Sequence, residues 1–200
     1  YEDSAFGTSG SKDFAEKAEG LGMKVVLMEG YSKGGVDFKP LLVKVKEAKP
    51  DLVYMISYVM DASLLMSQSM ELRIMPKLYV GGAAGFTLPE FAKNAGKAAN
   101  MVYSATLWYQ TLPYPGASQY FDEYVKKYGK PTEYHGAEAY AAGQVIGDAL
   151  KRSKSLSPKD VKEALAQTDM QTVFGPVKFI AYDKKINQNK LPTYLVQWMD

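Results

Sequence analysis

Lys49-Pro50-Asp51 closes one apolar-periodic segment and opens the run Leu52-Val53-Tyr54-Met55-Ile56, and breaks of the same kind recur through the first hundred residues. Proline has no backbone N–H to donate and pushes the residue before it out of the helical region, so a helix has to end there. Ahead of this break, Thr8 to Ala18 offers hydroxyl N-caps and then apolar residues at helical spacing, stopped by Gly20 and Gly22. Met23 to Met28 reads as a buried strand. Phe38, Leu41, Leu42, Val45 and Ala48 then fall on one stripe of a core-facing helix. Further strands are expected at Leu52 to Ser57, Leu78 to Val80 and Asn100 to Ala105, with helices at Asp61 to Leu72 and Leu88 to Ala95. This alternation predicts an α/β fold: a doubly wound, mainly parallel sheet with helices on both faces and right-handed crossovers. Ligands of such sheets sit beyond the carboxyl ends of the strands.

The pattern changes after Trp108. Gln110 to Gly116 carries two prolines and a glycine and reads as a connection between lobes. Helices follow: one with Tyr120, Phe121, Tyr124, Val125 and Tyr128 on a stripe, and a longer one from Tyr134 to Arg152 with Ala137, Tyr140, Ala141, Val145 and Ala149 facing one way. A third starts at the capping sequence Ser157-Pro158-Lys159-Asp160 and runs to Gln167. Strands are expected at Val173 to Ile180 and Thr193 to Trp198. Three amphipathic helices with only two strands nearby imply a further sheet to bury against. The chain also opens without an initiator Met, on residues that read as the end of a strand, so a fragment of a longer protein is expected.

Chemistry is constrained by what the chain lacks. With no cysteine there are no disulfides, thiolate nucleophiles or thiolate metal sites, and one histidine, His135, leaves little for imidazole catalysis or zinc. A formal charge of +2 gives no basic stripe for nucleic acid, and no apolar run is long enough to span a bilayer. Ser9-Gly10-Ser11-Lys12 matches the S-x-x-K spacing of an activated serine, but no S-D-N or K-T-G follows. A hydrolase using Ser9 and Lys12 is therefore the weak alternative. Gly81-Gly82-Ala83-Ala84-Gly85 follows a strand without the G-x-G-x-x-G spacing of a dinucleotide turn. No catalytic residues, cofactor or metal are expected.

Small and aromatic residues do recur just past the strand ends: Phe6-Gly7, Tyr58, Gly82, Ala84 and Phe86, then Trp108-Tyr109 and Pro113 at the connection. Aromatics on that edge make an apolar-walled site with a phenol handle, suited to a small organic molecule.

Tyr1-Glu2-Asp3-Ser4-Ala5-Phe6-Gly7, Asp37 to Leu42, Ala48 to Val53, Ala139-Tyr140-Ala141-Ala142, Thr172 to Phe179 and Val196-Gln197-Trp198, taken in this order, carry a resemblance across essentially the whole chain. It resembles the periplasmic substrate-binding proteins of ABC transporters in the branched-chain amino acid (Leu/Ile/Val-binding) family, which have the type I periplasmic-binding fold. The resemblance implies two α/β lobes joined by three crossings, with residues 1–112 in the second lobe, 113–190 a returning segment of the first, and 191–200 a final strand rejoining the second. It implies a periplasmic or extracytoplasmic receptor with a small-molecule ligand, a membrane permease as partner, no nucleic acid, and a hinge around Trp108, Tyr109 and Pro113. A sensory or regulatory module of the same fold is the alternative.

The resemblance also places ligand contacts at Phe6 (where tyrosine is common), Gly7, Tyr58, Gly82, Ala84 and Phe86. Ala84 stands where the family has an acid for the ligand's ammonium, and nothing from Gly81 to Phe86 is charged. An unpaired buried ammonium is costly, so an apolar or aromatic ligand with a carboxylate or amide is expected.

Overall fold

The computed structural model describes residues 1–82, 84–182 and 185–199, and it divides into two compact units. Unit 1 comprises Tyr1–Thr106 and the segment from Leu195 onward; unit 2 is Leu107–Tyr194.

Unit 1 is built on a four-stranded sheet in the order β1-β2-β3-β8, from β1 (Leu52–Met55), β2 (Leu78–Gly81), β3 (Tyr103–Thr106) and β8 (Tyr194–Gln197). β1 and β2 run parallel with Leu52 opposite Leu78 and Met55 opposite Gly81, and β2 and β3 run parallel with Val80 opposite Tyr103. α1 (Ala5–Gly20) and α2 (Lys39–Ala48) both precede β1, whereas α3 (Val59–Glu71) links β1 to β2 and α4 (Pro89–Ala95) lies between β2 and β3, as parallel neighbours require. α2 stops at Lys49, which takes a left-handed conformation (φ 46°) just before Pro50. Pro40 and Pro89 sit in the first turns of α2 and α4, where their missing N–H costs nothing. The core gathers Phe38, Leu42, Leu65, Phe86, Phe91 and Val102.

Three expectations change in this unit. The helix begins at Ala5, so Phe6 and Gly7 lie in its first turn and not in a loop before it. Met23 to Met28 joins no ladder; its neighbourhood contributes only an isolated parallel bridge between Glu2 and Tyr31. An apolar run records that a segment wants burial, whereas a strand also needs a partner backbone. The third strand also starts later than expected. Asn100 and Met101 form a turn, with Met101 at φ 65° and its N–H donating to the Trp198 carbonyl.

Unit 2 holds α5 (Ala117–Tyr128), α6 (Tyr134–Arg152) and α7 (Pro158–Ala166), with the antiparallel pairs β4 (Asp169–Thr172) with β5 (Gly175–Lys178), and β6 (Ile180–Tyr182) with β7 (Lys185–Gln188). Ser157 caps α7, its hydroxyl accepting from the Asp160 N–H at 3.2 Å. The strand expected over Val173 to Ile180 is instead a tight turn followed by β5. Gly175 at φ 121° reverses the chain, and the Thr172 hydroxyl donates to the Gly175 carbonyl at 2.7 Å. The core joins Trp108, Tyr120, Tyr134, Ala137, Ala141, Val173 and Phe174. Tyr140, expected on the buried stripe of α6, is half exposed, with its ring 4.8 Å from that of Tyr120. Ile146 and Leu150 of α6 remain exposed.

Candidate functional site

The strand ends of unit 1 bring Phe6 and Tyr58 together. Tyr58 is the N-cap residue of α3 and its carbonyl accepts the Ala62 N–H at 2.8 Å, so its backbone is fixed while its ring stays 41% exposed. Phe6 projects from the first turn of α1, 45% exposed, with its ring centroid 6.2 Å from that of Tyr58 at a tilt of 42°. This tilted pair offers an apolar floor carrying one phenol.

Both rings are set by close backbone approaches. Glu2 is fully buried and its carboxylate accepts the Ser4 N–H (2.7 Å), the Ser4 hydroxyl (2.6 Å) and the Gly7 N–H (2.8 Å), bracketing Phe6. Burial alone would raise the Glu2 pKa. The Ser4 and Gly7 hydrogen bonds and the nearby Lys33 outweigh it and hold the carboxyl below its ordinary range. Gly7 belongs to this clamp: its N–H is spent on Glu2, and a Cβ there would lie 2.0 Å from the Glu2 carbonyl oxygen. Across the site, Gly85 donates its N–H to the Ser57 carbonyl at 3.1 Å, and a Cβ would come within 2.5 Å of the Tyr58 backbone. The 3₁₀ turn Ala84–Phe86 therefore presses directly on the residue that carries the phenol.

The remaining expected contacts fall differently. Gly82 is buried, its N–H donating to the Met55 carbonyl at 2.7 Å, and a Cβ would meet the Tyr54 hydroxyl at 2.6 Å. Phe86 is wholly buried against Phe91, and its carbonyl accepts the Trp198 indole N–H at 2.6 Å; it is a core residue with no surface to offer a ligand within this unit. Ala84 opens the 3₁₀ turn, with its side chain outside the described residues, as is Ala83. In unit 2, Trp108 is buried with its indole N–H donating to the Val173 carbonyl at 2.8 Å, whereas Tyr109 and Pro113 are exposed.

Sequence reasoning missed three neighbours. Lys33 Nζ stands 5.3 Å from the Tyr58 ring centroid. Asp61, buried in the first turn of α3, accepts the Gly34 N–H at 3.1 Å. Asp3 accepts the Lys33 N–H at 3.2 Å, which lowers its pKa. Tyr31 OH and Ser57 Oγ are buried nearby, and burial pushes the Tyr31 phenol up against the opposing effect of the Ser57 hydroxyl.

The catalytic alternatives gain no geometry. Ser9 and Lys12 are both exposed on α1. His135 is an exposed residue at the start of α6, its Nδ1 2.6 Å from Glu133 Oε2. Among the described residues no cluster of acidic or histidine side chains could hold a metal, and no helix is long and apolar enough to cross a membrane. A groove of about 530 Å³ lies apart from Phe6 and Tyr58, between Met23–Glu29 and the edge of β1, lined by α1 and α2.

A family model described as periplasmic binding protein matches residues 1–200. The Leu/Ile/Val-binding protein homolog 7 of Brucella melitensis is 30% identical over 206 residues, covering 100% of this chain and 52% of that protein. The chain thus spans about half the length of the curated relatives it matches. The branched-chain amino acid transporter substrate-binding protein of Streptococcus pneumoniae, solved in complex with isoleucine, is 25% identical with a TM-score of 0.85, covering 100% of this chain and 56% of that one. A solute-binding protein of an ABC transporter from R. palustris, solved with benzoate, shares the fold at 18% identity and a TM-score of 0.81, covering 98% of this chain and 53% of that one.

Proposed function

The chain belongs to the periplasmic binding protein family, and from that premise we propose that it is part of an extracytoplasmic solute receptor of an ABC importer, capturing a small amino-acid-like or apolar or aromatic carboxylate. The observation that carries this is the exposed Phe6–Tyr58 pair at the strand-end edge, each ring fixed by buried backbone contacts and left open on its outer side. Solvent-facing aromatics whose supports are fully packed gain free energy by covering an apolar ligand. The relative from S. pneumoniae holds isoleucine. In this chain the loop from Gly81 to Phe86 has no acid to meet an ammonium, which shifts the preference toward ligands without one.

In such a receptor the ligand favours a closed conformation by its differential affinity, and the closed form is what a membrane permease recognises. Trp108, Tyr109 and Pro113 serve as the hinge region in this reading, and Gly7, Gly82 and Ala84 shape the floor through backbone approach. The test is calorimetric titration of the complete gene product with leucine, valine, phenylalanine and aromatic or branched aliphatic carboxylates. Binding of the carboxylates, weakened at least about 10-fold by Tyr58→Ala, is expected. A folded protein that binds none of them overturns the proposal.

A further inference from the structure

Lys33 is the charged side chain that lies on the aromatic floor, with its Nζ 5.3 Å from the Tyr58 centroid. Its position is built. On one side, its own N–H donates to Asp3 Oδ1; on the other, the Gly34 N–H donates to Asp61 Oδ2; two residues earlier the Tyr31 N–H donates to the Tyr1 carbonyl at 2.9 Å. A Gly-rich turn that would otherwise wander is thereby pinned at three points, and the lysine stem is directed toward Tyr58.

Glu2 and Asp3 feel that ammonium through space, but neither forms an ion pair with it, because their oxygens serve other donors. Glu2 is committed to Ser4 and Gly7, Asp3 to the Lys33 backbone, and Asp61 to Gly34 at the start of α3. No carboxylate lies within ion-pair distance of Lys33 Nζ among the described residues. A cation that rests on a ring face with no ion-paired carboxylate is a ready hydrogen-bond donor for a ligand's carboxylate.

Resting on the solute-receptor reading above, we propose that Lys33 determines ligand charge: the ligand lies on Phe6 and Tyr58 and its carboxylate pairs with the Lys33 ammonium. The ligand class is an apolar or aromatic monocarboxylate. A neutral amide of the same shape makes the ring contacts and loses the ion pair. A zwitterion makes both but brings an ammonium for which the Gly81 to Phe86 loop supplies no acid.

The experiment is calorimetry on the complete gene product with four probes: benzoate, benzamide, 4-methylpentanoate and leucine. The protein, Lys33→Met and Lys33→Arg are compared; Met keeps the apolar stem and Arg keeps the charge. The wild type is expected to bind the two carboxylates about 10-fold or more tighter than benzamide, with affinity falling as salt rises. Lys33→Met should erase that margin while leaving benzamide unchanged, and Lys33→Arg should restore most of it. Carboxylate affinity unaltered in Lys33→Met overturns the assignment and leaves the receptor reading standing. Leucine binding tighter than 4-methylpentanoate also overturns it, because the site then rewards an ammonium. A wild type that binds no probe sinks the receptor reading, and this assignment with it.

Discussion

Glu2 shows how one buried carboxylate sets an exposed aromatic surface it need not touch. Its three hydrogen bonds close the first turn of α1 on both sides of Phe6, taking up N–H groups that a helix start leaves unpaired. Replacing it by glutamine retains the shape but turns an amide N–H₂ toward donors. Glu2→Gln is therefore expected to destabilise unit 1 by about 1–2 kcal/mol at neutral pH, read by urea unfolding. The pH dependence has a definite sign. Because the folded-state pKa of Glu2 is lowered, its contribution is complete above the unfolded carboxylate value and is lost as pH falls through the lower folded value. The wild-type advantage over Glu2→Gln should accordingly shrink in acid, below about pH 4. An advantage that is equal at both pH values would show that ionisation of Glu2 contributes nothing.

At the scale of elements, the edge formed by Met23–Glu29 and β1 is the feature with the clearest physical consequence. The groove between them is apolar, with Met23, Val26 and Met28 among the exposed large hydrophobic residues, and Met23 to Met28 joins no ladder. Unpaired backbone beside exposed apolar side chains templates association with other chains. These 200 residues are expected to self-associate with rising concentration and to enhance ANS fluorescence. Val26→Lys should suppress both while changing stability by no more than about 0.5 kcal/mol, because Val26 is 48% exposed. Sedimentation at two concentrations checks it, and an unchanged distribution in the variant removes the edge as the cause. The same segment marks what the sequence could and could not disclose. The α/β alternation, the Pro and Gly stops and the Ser157 cap are local and were legible. Whether an apolar run such as Met23 to Met28 joins a ladder depends on backbone distant in sequence, and the Val173 to Ile180 run concealed a turn because Val173 and Phe174 are apolar for the sake of the unit 2 core. Within the site, Phe6 and Tyr58 could be picked out as aromatics past strand ends. Lys33 could not, since Asp3 and Asp61, which anchor its loop, lie 30 and 27 residues away from the groups they bind.

Across the whole chain, unit 1 is discontinuous: it is left at Thr106 and rejoined at Leu195, so its sheet is completed only by the last residues. Trp198 secures that return. Its indole N–H donates to the Phe86 carbonyl at 2.6 Å, its ring lies 6.2 Å from that of Phe91, and its backbone exchanges hydrogen bonds with Met101 and Val102. Truncation to alanine removes the ring from the Phe91 contact and leaves the Phe86 carbonyl unpaired, so Trp198→Ala should cost unit 1 about 3 kcal/mol. The chain has two tryptophans, and the other, Trp108, is buried in the core of unit 2. In the variant, tryptophan emission consequently reports unit 2 alone, while far-UV circular dichroism reports the helices of both. The expected outcome in urea is an early loss of part of the dichroism and an unmoved Trp108 transition. If both signals shift together by the same amount, the two units unfold as one cooperative body, and the closing strand stabilises the entire chain and not unit 1 by itself.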